Sequence, residues 1–364
     1  MDYQGRRRML RQKAAEAGVG LIAIAPGPNM LYLMGYHPHI DERPCYLLLT
    51  EAGEGLVVPD LNATEVAAKV DLQMETYTDA EGPQAALSRM AGAVRMADAR
   101  RVMVEETMRY DFVQHLIHQV PDAGVTTSEP ILGAMRMHKD ADEIAAIREN
   151  SDMADRVMEE AFANIREGVS EEEIAAVVAS AFKAAGALRT NFAIIGSGPN
   201  SAFPHHSSGS RRALRGEAVV LDIGAHYKGY NSDITRMAFV GEPGEEYRKV
   251  HAVVEVAVHA ARAAVRPGVR ACDVDRAARR VIEDAGYGPY FTHRVGHGLG
   301  VTGHEPPYMT GTNEIRLEEG MTFSIEPGIY LPGRFGVRLE ELALVTADGV
   351  ETMSRLPRDV RICG

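Results

Sequence analysis

The sequence predicts two domains, an α/β domain over residues 1–130 and a larger α+β domain over residues 131–364. Three observations carry that prediction. Short apolar runs of strand length alternate with helical patterns through the first 130 residues. The segment VTTSEPILGAMRMHKD (125–140), with a Pro, a Gly and a polar cluster, then interrupts the alternation. Beyond it one order of elements runs twice, helices followed by a pair of antiparallel strands that carry acidic residues.

In the first domain, LIAIA (21–25), CYLLLT (45–50), GLVVP (55–59) and RVMVEE (101–106) are the expected strands, apolar and partly β-branched. Helical spacing of apolar residues falls at about 5–16, 62–70, 84–96 and 108–119. The second domain opens on a long amphipathic helix, DADEIAAIRENSDMADRVMEEAFANIREG, closed by Gly168. A second helix starts at Ser170, which stands at capping-box spacing from Glu173. Helices over 142–184 lead to a strand pair at about 217–241, and helices at about 245–265 and 273–285 lead to another at about 320–346. No residue-level repeat accompanies this order, so the duplication is inferred from the elements alone.

The composition bounds the function. With 45% hydrophobic and 25% charged residues, the 364-residue chain is an ordinary globular protein with enough length for a large core. Lys and Arg number 39 against 51 Asp and Glu, a net charge of −12 that argues against a nucleic-acid partner. No apolar run approaches the roughly 18 residues that cross a bilayer. The basic start MDYQGRRRMLRQKAAEAG is not followed by the apolar core of a secretion signal. Cys45, Cys272 and Cys363 are far apart and odd in number, and suggest neither a disulfide framework nor a zinc ribbon. A cytoplasmic protein with neither a nucleic acid nor a membrane as partner is the expectation.

The chemistry lies in four carboxylates and a few histidines. Asp222 ends the apolar run VVLDI, and Asp233 begins the return strand after a turn rich in Gly and Asn, so a hairpin can bring both to one end. Glu326 and Glu340 interrupt apolar strands on either side of the turn YLPGRFG. A carboxylate in such a setting is costly unless it is neutralised or bound to a metal. His297 and His304 follow seven residues apart among glycines that allow close backbone approach. Four carboxylates and an imidazole suit a pair of divalent cations, whose charge they balance. A structural zinc site would prefer thiolates, and none is near in sequence. Gly298-Leu-Gly300-Val-Thr-Gly303 matches the dinucleotide fingerprint, but the two prolines of the following HEPPYM forbid the helix that this fingerprint must open.

Taken together, LDIGAHYKGYNSDITR, GHGLGVTGHEPP, FSIEPGIY and GVRLEE resemble the signature blocks of the pita-bread metallopeptidases, which include methionine aminopeptidase, aminopeptidase P and prolidase, with creatinase as a metal-free relative. The order Asp, Asp, His, Glu, Glu matches at every ligand position. The likeness covers about 140–350; the first 130 residues, through YLMGYHPHIDERPCYLLL, resemble the creatinase/prolidase-type N-terminal domain more weakly. The resemblance implies a pita-bread catalytic domain of two pseudo-two-fold halves. It implies that Asp222 chelates one metal, that Asp233 and Glu340 bridge both, and that His297 and Glu326 bind the other, with Glu326 also close enough to act as base. His205 and His304 match the histidines that hold substrate and tetrahedral intermediate, with His206 as the alternative in the NSAFPHHS register. Arg338 matches an arginine that supports the site, a structural ion pair being its other reading. Two departures stand out: Glu341 where the family commonly has Asp, and Gly303 where it often has a larger apolar residue, which would widen the pocket beside His304.

The activity so implied is hydrolysis of the peptide bond before proline by a metal-bridging hydroxide on two divalent ions per chain. Manganese comes first among them, with cobalt, iron or zinc also admissible. Xaa-Pro dipeptides are the expected substrates, on the compact length and the lack of a third domain. The alternatives are an aminopeptidase P acting on longer peptides, or a same-fold metal-dependent hydrolase or lyase of a small non-peptide. A non-catalytic scaffold on this fold would be expected to lose ligands, and all five are present. Finally, His37, His39, Asp41 and Arg43 crowd into YHPHIDER (36–43). Prolidase-type dimers place such a loop over the neighbouring catalytic domain, so the resemblance implies a homodimer. In it Arg43, or His39 in its place, would meet the substrate's free carboxylate.

Overall fold

The computed structural model describes residues 1–364 and divides into Met1–Arg136 and Met137–Gly364. The division falls a few residues after 130, because the helical turns that follow are tied to the first unit: Leu132 is fully buried and Arg136 donates to Asn29 Oδ1 at 2.7 Å.

The first unit is a six-stranded sheet built from β1 (Leu21–Ile24), β2 (Tyr46–Leu49), β3 (Glu54–Pro59), β4 (Met74–Tyr77), β5 (Arg101–Val104) and β6 (Gly124–Thr127), in the order β4-β3-β2-β1-β5-β6. The pairs β1–β2 and β2–β3 are antiparallel; the pairs β1–β5, β5–β6 and β3–β4 are parallel. Helices α1 (Tyr3–Glu16), α2 (Pro28–Met34), α3 (Asp60–Lys69), α4 (Gln84–Ala93) and α5 (Tyr110–Ile117) accompany it. The central strands β1 and β2 are buried at every residue, which is why they read as unbroken apolar runs. Helix α2 was not legible by periodicity, since five of its seven residues are buried; it starts on Pro28 and stops at Gly35, which adopts φ +75° where a Cβ would be strained.

After the one-turn α6 (Ala134–Met137), the second unit runs through α7 (Ala141–Ala163) and α8 (Glu171–Ala184). Both open on capping boxes, Asp140 with Glu143 and Ser170 with Glu173. Strands β7 (Arg189–Ser197), β8 (Ala218–Tyr227), β9 (Tyr230–Asn231) and β10 (Ile234–Val240) follow, then α9 (Glu245–Ala264) and α10 (Ala271–Asp284). The rest is β11 (Gly296–Gly298), β12 (Glu305–Met309), β13 (Thr322–Ile325), β14 (Gly328–Leu331), β15 (Phe335–Arg338), β16 (Glu341–Val345), β17 (Val350–Thr352) and β18 (Arg361–Cys363). One sheet has the order β18-β10-β8-β7 with β9 on β8, the other β12-β11-β13-β16-β17, and β14 pairs with β15 alone. No helix is long and apolar enough to cross a membrane.

The two-residue period of the strands aims the acids. In β8, Val219, Leu221 and Ile223 pack with α7 and α8 around Val157 and Ile174. Ala218 and Val220 face the other half of the unit, with Val254, Phe323 and Ala343. Asp222 continues that second face. In β10 the same face carries Met237 and Phe239, so Thr235 and Asp233 lie in line with it. The register pairs Thr235 with Asp222, side by side across the two strands.

Candidate metal centre

The four acids meet between the two halves of the second unit. Asp222, Asp233 and Glu340 place carboxylate oxygens within 4.8 Å of one another, and so do the ligand atoms of Asp233, His297 and His304. Asp233 belongs to both groups. Glu326 lies beside them, with Oε1 at 3.2 Å from His297 Nε2. His297 Nδ1 donates to its neighbour Gly298 O at 3.1 Å, so Nε2 is the nitrogen turned toward Asp233 and Glu326, a donor to these carboxylates while it carries a proton and a ligand for a cation once it does not. The strand carrying His297 can enter this space only because it is made of glycine: a Cβ on Gly296 would sit 1.8 Å from Ser324 O, and one on Gly298 2.2 Å from Pro306 O.

The surroundings neutralise little of the charge. Arg338 is buried and donates to Asp222 Oδ2 at 2.5 Å, to Thr235 Oγ1 at 3.2 Å, to Tyr330 Oη at 3.0 Å and to Pro204 O at 3.2 Å. It is the one guanidinium bonded to any of the four acids' site-facing oxygens. Glu340 accepts from Thr235 Oγ1 at 2.9 Å through Oε2 alone. Its Oε1, like Asp222 Oδ1, is buried with no hydrogen-bond partner. Burial, then the Glu340, Asp222 and Glu326 carboxylates, push Asp233 well above the usual carboxylate range. Burial, then Glu326 and Asp222, do the same to Glu340. Burial also raises Glu326, but the His297 hydrogen bond and charge, with His293 and Arg338 beyond, bring it down to about 2. Orphaned buried oxygens on an all-carboxylate and imidazole donor set fit divalent cations, and two groups sharing Asp233 fit two of them.

A cavity of about 620 Å³ opens over these acids, lined also by Phe192, Ile194, Pro204, His205, His293, Arg294 and His304. His304 stacks on His297 with ring centroids 3.7 Å apart. Burial and His297 lower its pKa to about 4, while its outer edge remains exposed. His205 is exposed and lines the cavity; His206 does not, because its Nε2 donates to Glu171 Oε2 at 2.7 Å. Of the two readings of that histidine pair, the structure therefore turns the first toward the acids. The GxGxxG stretch runs from β11 through a loop into β12, and no helix follows it.

Several side chains of the cavity carried no sequence signal. His293 donates from Nδ1 to Arg294 O at 2.7 Å and accepts at Nε2 from Tyr330 Oη at 2.8 Å, which in turn accepts from Arg338. That relay fixes the imidazole and the arginine together. Arg294 lies over the Tyr308 ring at 4.5 Å and makes no ion pair, although it lines an acidic cavity. Only their closeness in sequence to His297 could have drawn attention to them. Glu341, by contrast, faces away from the centre and bonds Arg358 at 2.5 Å and Arg236 at 3.3 Å.

In the first unit, Arg43 forks onto Asp79 at 2.8 and 2.9 Å and also bonds Asp41 at 3.2 Å. Its guanidinium is thus already paired within its own unit, unlike the free cation expected from YHPHIDER. His39 is exposed and makes no such pair.

The comparisons with known proteins agree with this geometry. The family model described as metallopeptidase family M24 matches residues 145–347, and the model described as creatinase/prolidase N-terminal domain matches residues 6–138. The Xaa-Pro dipeptidase of Pyrococcus horikoshii is 33% identical over 94% of this chain and 94% of its own length. The crystal structure of recombinant prolidase from Thermococcus sibiricus superposes with a TM-score of 0.94 at 33% identity, covering 100% of this chain and 99% of that one. The crystal structure of dipeptidase PepE from Mycobacterium ulcerans superposes with a TM-score of 0.91 at 35% identity, covering 99% and 97%. The pita-bread architecture, the acid and histidine constellation and the matched family models thus converge: the chain belongs to metallopeptidase family M24, with a creatinase/prolidase-type domain preceding its peptidase domain.

Proposed function

We propose that the protein hydrolyses Xaa-Pro dipeptides, with Asp222, Asp233, His297, Glu326 and Glu340 holding two divalent ions per chain. The observation that supports it best is the pair of ligand groups sharing Asp233, Asp222 with Glu340 on one side and His297 with His304 on the other, where Asp222 Oδ1 and Glu340 Oε1 are buried without a partner and Glu326 stands 3.2 Å from His297. Such ions supply Lewis acidity at the scissile carbonyl and bring the pKa of a bound water toward 7; manganese suits the oxygen-rich set first, with cobalt, iron and zinc behind it.

The side chains do the rest. Glu326, ionised, is the general base that accepts the proton of the attacking water. His205 and His304 line the cavity, where they donate to the carbonyl oxygen as it gains charge. Arg338 holds Asp222 in place. Arg294 is the cation within the cavity that has no carboxylate of its own, so it receives the free carboxylate of the terminal proline. None of these contacts requires an N–H from the scissile amide, so the tertiary amide before proline is accepted. The printed names of the relatives, Xaa-Pro dipeptidase and prolidase, point the same way.

We propose residues 1–136 as a substrate-restricting domain of a homodimer, in which loop 36–43 reaches the neighbouring active site. With Arg43 bonded to Asp79, His39 is the loop side chain available for that contact. Three buried free cysteines fit a reducing compartment, the cytoplasm. The test is turnover of a panel of Xaa-Pro dipeptides, Xaa-Pro tripeptides and small non-peptide amides by protein loaded with Mn²⁺, Co²⁺ or Zn²⁺. Dipeptides should be cleaved best, and Arg294→Ala should raise their KM about tenfold or more. Preference for tripeptides would make the protein an aminopeptidase of the P type, and turnover of the small amides alone would overturn the peptidase reading.

A further inference from the structure

Behind His205 lies a buried carboxylate that contacts neither the cavity nor the acids. Glu171, the first residue of α8, is 1% exposed. It accepts five hydrogen bonds. Ser197 N at 2.8 Å, Ser197 Oγ at 2.9 Å and Asn200 Nδ2 at 2.9 Å reach Oε1, and His206 Nε2 at 2.7 Å and Gly209 N at 3.2 Å reach Oε2. All five donors come from one stretch, residues 197–209, which carries His205. Between the end of β7 and the start of β8 that stretch has only a short 3₁₀ turn, Gly198–Ala202. Burial pushes the Glu171 carboxyl up, and the donors from Ser197, His206 and Asn200 more than offset it, so its pKa is lowered and it is ionised.

The geometry points to Glu171 as the positioning residue for His205: by seizing the His206 ring on one side of the chain, it turns the preceding histidine toward the metal centre on the other. The opposite flank is held from the site itself, since Pro204 O accepts from Arg338 at 3.2 Å. His205 has no hydrogen bond of its own, so its aim depends on these two neighbours. A histidine that must donate to a transient oxyanion loses its effect when its ring wanders by an ångström or less. The stretch keeps anchors that do not involve Glu171: Gly336 N donates to Ser201 Oγ, and Ser208 Oγ donates to Ala193 O. The loop therefore survives loss of the clamp but no longer fixes the ring.

This inference rests on the Xaa-Pro reading for its kinetic arm and is independent of it for its structural arm. The experiment is a double-mutant cycle of Glu171→Gln and His205→Ala in the metal-loaded enzyme, with metal content measured on each variant and hydrogen exchange followed over residues 197–209. In Glu171→Gln, kcat should fall about 10²-fold with KM and metal content unchanged. Exchange over 197–209 should accelerate about tenfold or more. In the His205→Ala background, Glu171→Gln should cost nothing further. Three results would overturn the proposal: wild-type kcat in Glu171→Gln, an equal loss of kcat in both backgrounds, or unchanged exchange over 197–209. If Glu171→Gln does not fold, His206→Asn removes one of the five bonds and should give a smaller loss of kcat, again absent when His205 is already alanine; wild-type kcat in that variant overturns the proposal. A wild-type enzyme that cleaves no Xaa-Pro dipeptide defeats the substrate reading instead, and the exchange measurement then decides the clamp alone.

Discussion

Glu340 and Glu341 are neighbours in sequence, both buried, and they live in opposite electrostatic worlds. Glu341 stands between two arginines, Arg358 at 2.5 Å and Arg236 at 3.3 Å. Arg236 is itself fully buried and caps the carbonyls of Thr235, Glu340 and Leu356, while Arg358 also bonds Glu255. Glu340, one residue earlier, is surrounded by Asp222, Asp233 and Glu326, with a threonine hydroxyl as its only side-chain donor. A third buried acid, Glu105 in the first unit, has neutral donors only, Ala25 N at 2.8 Å and Asn29 Nδ2 at 3.1 Å. Burial of a carboxylate is therefore no mark of a site. Its partners decide: arginines, or a full set of donors as at Glu171, keep it ionised and structural, two amides as at Glu105 leave it to take up a proton, and other carboxylates call for cations.

The sharpest way to break this comparison is at the acid shared by both ligand groups. Asp233→Ala should lose at least one ion per chain and cut turnover by about 10³-fold or more, read by elemental analysis and steady-state kinetics. Full metal content and activity in that variant would remove Asp233 from the centre. On the other side of the chain, Glu341→Gln leaves the buried Arg236 and the half-buried Arg358 without their shared anion. It should destabilise the fold by about 3–5 kcal/mol in denaturant unfolding and keep its ions. Metal loss with unchanged stability would exchange the roles of the two neighbours.

His304 sharpens the boundary of the centre, since its ring approaches Asp233 and His297 closely enough to be a ligand. If it acts on the substrate, His304→Ala keeps both ions and loses about 10²–10³ in kcat; loss of an ion would make it a ligand. The mildest effect is expected at Glu105. Burial raises its pKa to about 7, against the donors from Ala25 and Asn29. The folded state then holds a proton that the unfolded chain has already released, so stability falls as pH rises from about 4.5 to about 7. The slope is at most about 1.4 kcal/mol per pH unit. Glu105→Gln should flatten that slope, and an unaltered pH profile of unfolding would show that Glu105 does not titrate there.

What the sequence disclosed follows the same physics. The central strands β1, β2, β8 and β10 were legible because burial on both faces writes an apolar run. Among the strands that escaped, β4, β6, β7 and β18 lie at sheet edges, where METY, GVTT and RIC carry few buried residues, while β11 is internal but is only the tripeptide GHG, too short and glycine-rich to write an apolar run. The acids were legible because a charge inside an apolar run is anomalous. Arg294, His293 and Glu171 were not, since each sits in a polar local sequence and acquires its meaning only from residues far along the chain. The histidine pair was legible as a pair, but which ring faces the centre depends on Glu171, 35 positions away from His206.

The central claim is that the charge around Glu340 is answered by cations and the charge around Glu341 by arginines. The direct test is native mass spectrometry of the metal-free chain titrated with Mn²⁺, alongside Asp233→Asn and Glu341→Gln. Two ions per wild-type chain, fewer in Asp233→Asn and two in Glu341→Gln, is the predicted result; a wild-type chain that saturates with one ion or none would contradict it.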